Sequence, residues 1–215
     1  MKSYENIAYI SGWVAEEFQI SYIAKGKKFY SSFVDVQRNS GVIDRVPIIV
    51  PENFIDVTRE WTGAAVYVFG KFRSFNKEVN GKRKLLLYLF AKRIYVIALP
   101  DRFENKIHLT GYLCKAPVYR KTPKGYEITE LLMAVNKSKW KSDYIPCICW
   151  GDNARWASGL QVGAHISITG RMQSREYTKK LNESESEIRT AYEVSISQME
   201  VIEGEECKDQ VDNAE

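Results

Sequence analysis

The chain has 215 residues, 45% of them apolar and 27% charged, which allows one large or two small packed domains and excludes global disorder. No uncharged apolar run approaches the roughly 18 residues of a membrane helix, and four scattered cysteines do not make a disulfide scaffold. The net charge of +4 is uneven: residues 1–100 carry 15 basic against 9 acidic side chains, residues 101–202 carry 15 against 12, and residues 203–215 carry 1 against 6. A basic body with an acidic end suits a polyanionic partner. The first residues lack the apolar stretch of a signal peptide, so a cytoplasmic location is expected.

In chain order, Lys25-Gly26 is a turn signal, and the β-branched and aromatic runs 29–36 and 46–50 predict strands. A helix is expected over 52–60. Val66-Tyr67-Val68-Phe69 is a strand apolar on both faces, which implies something packed on each. Asn80-Gly81 marks another turn, and 99–104 reads as a Pro-containing connector. The same order then recurs. Lys124-Gly125 is followed by strands 128–135 and 144–150, a helix over 152–160, the alternating strand 164–170, a charged hairpin tip at 182–187 and a strand at 191–199.

The two halves match each other residue by residue. At an offset of 99, Asn6 meets Asn105, Gly12 meets Gly111, Arg38 meets Lys137, Asp44 meets Asp143 and Pro47 meets Pro146. At an offset of 100, Gly63 meets Gly163, Gly70 meets Gly170 and Ser74 meets Ser174. An ordered series with a single slip implies two homologous domains, 1–98 and 105–202, followed by a short acidic tail at 203–215 expected to be disordered. Five strands with one short helix between the third and fourth is the order of an OB-fold, so the fold class is all-β with two tandem five-stranded Greek-key barrels.

Residues 105–202 resemble bacterial single-stranded-DNA-binding proteins. The resemblance is carried by Asn105 to Gly111, Pro117, Arg120, Thr122 to Gly125, Ala134-Val135-Asn136, Asp143 to Pro146, Trp150-Gly151, Gly163, Gly170 to Tyr177 and Arg189 to Val194. The first half is more divergent. The resemblance implies a non-catalytic protein of DNA replication, recombination or repair, nucleoid-associated, that binds single strands largely without sequence preference. Such binding needs cations for phosphates and flat rings on which bases stack.

The second half supplies both. Lys137-Ser138-Lys139-Trp140-Lys141 sets an indole among lysines, where a core role is hard to sustain, and the resemblance makes Trp140, Tyr144, Trp150 and Tyr177 stacking residues. For Tyr144 and Trp150 the alternative is an inward barrel position; for Tyr177 it is an idle hairpin aromatic. Phosphate contacts are expected from Arg120, Lys137, Lys139, Lys141, Arg171 and Arg175, with Arg38, Lys71 and Arg73 from the first half. Opposite the four platform positions the first half has Gly41, Arg45, Pro51 and roughly Lys77, so it is expected to hold phosphates more than bases, or to serve assembly. Phe72 and Phe75 flank Arg73 and fit either a replacement platform or a core.

Family relatives with one OB-fold per chain assemble as tetramers, so a duplicated chain implies a homodimer with four OB-folds, and Tyr67 and Phe69 are the expected interface. The resemblance also implies replication and repair proteins as partners. The family's recruiting tail ends in apolar residues, however, and this one ends Asp212-Asn213-Ala214-Glu215. The competing reading is a primosome-type assembly module whose OB-folds mainly contact protein. Cys147-Ile148-Cys149, His108 and His165 lack zinc-ligand spacing, Asp35, Asp44, Asp143 and Asp152 do not cluster as a nuclease centre would, and no glycine loop fits a nucleotide; no metal, cofactor or enzymatic activity is expected. Trp61 and Trp156 read as core.

Overall fold

The computed structural model describes residues 6–79, 82–98, 102–180 and 186–202, with side chains outside 77–84, 176–180 and 188–189. The expected turn at Asn80-Gly81, most of the charged hairpin tip and the acidic tail lie outside the described residues. Twelve strands run β1 (Asn6–Val14), β2 (Gln19–Ala24), β3 (Lys27–Gln37), β4 (Ile43–Pro51), β5 (Ala65–Val79), β6 (Lys82–Val96), β7 (Asn105–Leu113), β8 (Val118–Lys121), β9 (Glu127–Ser138), β10 (Lys141–Trp150), β11 (His165–Lys180) and β12 (Ser186–Val201). Among the described residues one α-helix, α1 (Gly151–Ala157), sits between β10 and β11. No helix among the described residues is long and apolar enough to cross a membrane.

Each half closes on itself. In the first, β1 pairs with β3 and β5, and β4 and β6 run parallel at Ile48↔Leu89; in the second, β7 pairs with β9 and β11, and β10 and β12 run parallel at Cys147↔Val194. Antiparallel hairpins with one parallel closure are the Greek key of the OB-fold. The core follows from period-two alternation. Val34, Val36, Val46, Ile48 and Val50 point into the first barrel, and Leu131, Met133, Val135, Ile145 and Cys147 into the second.

The residues that the repeat preserves are those the closure needs. A side chain on Gly70 would lie 2.1 Å from the Phe90 carbonyl oxygen, and one on Gly170 would lie 2.4 Å from that of Ser195, so only glycine lets the long strands bend at their matched irregularities. The Asn6 amide donates to the Phe72 carbonyl at 2.5 Å and accepts from the Phe72 N–H at 2.7 Å. Asn105 brackets Met172 in the same way, at 2.8 and 2.9 Å.

Five strands close each barrel, as expected, and each barrel carries a further strand, β2 or β8, as a hairpin arm; every residue of β2 and β8 is exposed, so no burial pattern announced them. Two expectations need correction. The helix over 52–60 is only a three-residue 3-10 turn, Glu52–Phe54. β-Branched Ile55, Val57 and Thr58 favour helix weakly, and Asp56 instead accepts from the Thr58 N–H at 2.9 Å while its carbonyl accepts from Trp61 Nε1 at 2.8 Å. Trp61 is core, but Trp156 is 50% exposed, because the two-turn helix α1 buries only Ala154 and Ala157.

The barrels are joined edge to edge by an antiparallel ladder from Asn6↔Leu109 to Ile10↔Asn105. The offset of 99 carries Asn6 to Asn105 and Ile10 to Leu109, so the ladder maps onto itself and the two barrels are related by an approximate two-fold axis through it.

Candidate nucleic-acid interface

The β9–β10 hairpin gathers most of the expected site. Trp140 stands at its turn and is 89% exposed, with the Lys139 ammonium 5.8 Å from its ring centre. Tyr144 and Trp150 point outward from β10 at 46% and 40% exposure, which decides against the inward alternative. Lys137, Lys139 and Lys141 are exposed on the same hairpin. Flat rings and ammonium groups on one solvent-facing surface are the arrangement a stacked, phosphate-bearing strand requires. Tyr177 lies on β11 opposite Arg189, where side chains are outside those described.

The arginines divide. Arg120 on the β8 arm pairs with Glu130, both largely exposed at 42% and 39%, so this pair holds it weakly, while Arg175 pairs at 3.2 Å with Glu193, which is 8% exposed. Arg38 donates to both oxygens of buried Asp44, a bond that raises its pKa further. Arg171 crosses from the second barrel toward the same carboxylate but stops at 3.9 Å, and its Nε has no hydrogen-bond partner among the described residues. Burial and the nearby Arg38 lower its pKa. Arg38 and Arg171 border an open cleft of about 440 Å³ with Arg102 and Asn105. Lys71 is half-buried on β5 opposite Phe90.

Arg73 is a correction. Its guanidinium is only 15% exposed and donates to Asp143 of the second barrel at 2.8 Å, 70 residues away. Asp143 also accepts from the Ser74 N–H at 3.0 Å, and the Tyr144 N–H donates to Ser74 Oγ at 2.8 Å. Arg73 is therefore a clamp between barrels, set against the strand that carries a candidate stacking ring. The two phenylalanines beside it also part: Phe72 is fully buried, Phe75 is 53% exposed. Cys147 and Cys149 are buried and burial pushes both thiols up, Cys149 to about 12.

Residues 104–202 match the model of the single-strand binding protein family. The second barrel is thus similar to the proteins of that family. The single-stranded DNA-binding protein of Thermus thermophilus is 28% identical to the chain over 147 residues, covering 59% of this chain and 55% of that protein. Single-stranded DNA-binding protein A of Bacillus subtilis is 32% identical over 80 residues, covering 34% of this chain and 46% of that one. The chain thus spans about half the length of the relatives it matches. The crystal structure of the wild-type single-stranded DNA binding protein from Thermus aquaticus superimposes with a TM-score of 0.74 over 93% of this chain and 94% of that chain, at 20% identity. The tandem OB-fold arrangement is shared along nearly the whole chain, while the family match is confined to the second barrel.

Proposed function

We propose that the chain is a non-catalytic binder of single-stranded DNA, largely indifferent to sequence, acting in DNA replication, recombination or repair in the bacterial cytoplasm. The observation that carries this reading is Trp140, 89% exposed between two lysines on the hairpin that also presents Tyr144 and Trp150. A duplex hides the base faces that these rings would meet, so oligo(dT) should quench tryptophan fluorescence and bind far more tightly than duplex DNA. Affinity should fall as salt rises, with a slope set by the phosphates neutralised. Equal affinity for duplex and single strand removes the stacking argument.

The chain is further proposed to work as a homodimer with four OB-folds. The support is a cluster on the outer face of β1 and β5, where Tyr9 lies 6.5 Å from Tyr67 and 5.3 Å from Phe69, ring centre to ring centre. The second barrel lies beside this face through β7 and leaves all three rings half-exposed. Covering a Phe-sized side chain is worth about 1.5–3 kcal/mol. Sedimentation equilibrium should give twice the 24.8 kDa of the chain, and Tyr67→Lys with Phe69→Lys should return it to the monomer mass. A monomeric wild type sinks the dimer; a dimer indifferent to both lysines moves the interface elsewhere.

A further inference from the structure

The first barrel has Arg45 where the second has Tyr144, and Pro51 where it has Trp150. The ladder registers show that a ring is nevertheless present nearby. In the second barrel Trp150 of β10 pairs with Ile128 of β9. In the first, the matching rung pairs Pro51 of β4 with Phe29 of β3. The aromatic and the aliphatic member have exchanged strands across one rung, and cross-strand partners share a sheet face. Phe29 is not alone. Tyr22 of the β2 arm pairs with it and stacks on it at 4.6 Å with the planes 13° apart, and Phe90 of β6 lies 5.9 Å away on β6. Tyr22 is 39% exposed, and Phe29 and Phe90 are half-buried, so solvent reaches the cluster.

Two features select the occupant. Lys25, Lys27 and Lys28 are exposed on the same β2–β3 hairpin, without an ion-pair partner among the described residues, so the rings sit in a cationic setting. The cluster is also continuous with the candidate interface of the second barrel: two residues before Phe90 on β6, Tyr88 pairs with Arg73 of β5, and Arg73 holds Asp143, the neighbour of Tyr144. Rings beside unpaired cations, adjoining a surface already read as a strand path, answer to the two halves of one ligand, base and phosphate.

We infer that Tyr22, Phe29 and Phe90 form a second stacking surface, on which the first barrel holds bases of the same single strand that crosses Tyr144. The inference rests on the single-strand reading above and adds a base-binding role for the barrel that the sequence comparison had left to phosphates or assembly.

The test uses the full chain with two oligo(dT) lengths, about 8 nucleotides, within reach of one OB-fold, and about 30, enough for two. Tyr22→Ala should weaken binding of the longer oligonucleotide about ten-fold, as one lost stacked base does, and reduce the nucleotides bound per chain. Tyr22→Phe should restore both. Binding of the shorter oligonucleotide should persist in Tyr22→Ala and weaken about ten-fold or more in Trp140→Ala. Photocrosslinking of the longer oligonucleotide substituted with iododeoxyuridine should label the peptide holding Tyr22 and Phe29. Adducts confined to residues 105–202, with an unchanged site size in Tyr22→Ala, overturn the inference. If Tyr22→Ala instead lowers the sedimenting mass without changing DNA binding, the arm is a protein contact and the inference is equally overturned. Because Tyr22 stands on an exposed arm, unfolding is not expected; should it occur, Phe29→Leu with the same crosslink gives the answer. A wild type that binds neither oligonucleotide defeats the single-strand reading itself, an outcome distinct from loss of the arm adducts alone.

Discussion

Replacing Trp140, Tyr144 and Trp150 together by alanine should reduce oligo(dT) affinity by roughly 3–9 kcal/mol, taking about 1–3 kcal/mol for each lost stack. The three lie on one hairpin and would meet one strand, so the sum is an upper guide rather than a strict total. Trp140→Ala alone should cost about 1–3 kcal/mol. At 89% exposure Trp140 removes little packing, so Trp140→Ala should leave thermal unfolding nearly unchanged, whereas Tyr144 and Trp150, at 46% and 40%, give up part of their packing and should lower the midpoint as well as the affinity that fluorescence titration shows. The salt slope should also persist, since Lys137, Lys139 and Lys141 remain. A triple variant that binds oligo(dT) as the wild type does would leave the hairpin without a role in base recognition.

Asp143→Ala should destabilise the fold by about 3–5 kcal/mol, the cost of breaking a buried ion pair by removing one partner. Asp143 is 1% exposed and Arg73 is 15% exposed, so the substitution strands a guanidinium away from water. It also takes the acceptor from the Ser74 N–H. Lys137 lies 3.6 Å from the same carboxylate but is 40% exposed and can turn to solvent. Urea unfolding of the full chain measures the effect; a loss below about 1 kcal/mol, the range of an exposed pair, would show that the clamp is not closed in solution. Arg73→Ala probes the same bond from the other barrel. It should lower stability and leave the salt slope of DNA binding unchanged, whereas a phosphate contact would lower the slope.

Much of this architecture was legible because it depends on neighbours in sequence. Inward Val34, Val36, Val46 and Ile48 alternate with outward residues, and period-two burial is a local signal. Lys25 and Gly26 adopt φ of 50° and 74°, the left-handed pair that a two-residue hairpin turn demands. The repeat was readable because Gly70, Gly170, Asn6 and Asn105 each meet a requirement of closure that both barrels share. Trp140 betrayed itself for a similar reason: an indole flanked by lysines has no apolar neighbours with which to enter a core.

What the sequence did not reveal depends on contacts between distant segments. Nothing near Arg73 says that Asp143 waits 70 residues on, so a cation in a basic stretch read as a phosphate ligand until the edge-to-edge ladder brought the barrels together. The β2 arm carries no burial alternation, and only its pairing with β3 and the closure by β6 sets Tyr22, Phe29 and Phe90 on one face. The 52–60 segment had a helix's place in the repeat, but side-chain bonds through Asp56 and the weak helix propensity of Ile55, Val57 and Thr58 left it a turn. By itself the sequence determined strands, turns, repeat and the ring-and-lysine hairpin, because these follow from local periodicity and solvent demand. Only the tertiary structure decided which charges pair across the barrels and which rings share a face, because those depend on strand register and on the ladder that joins the two halves.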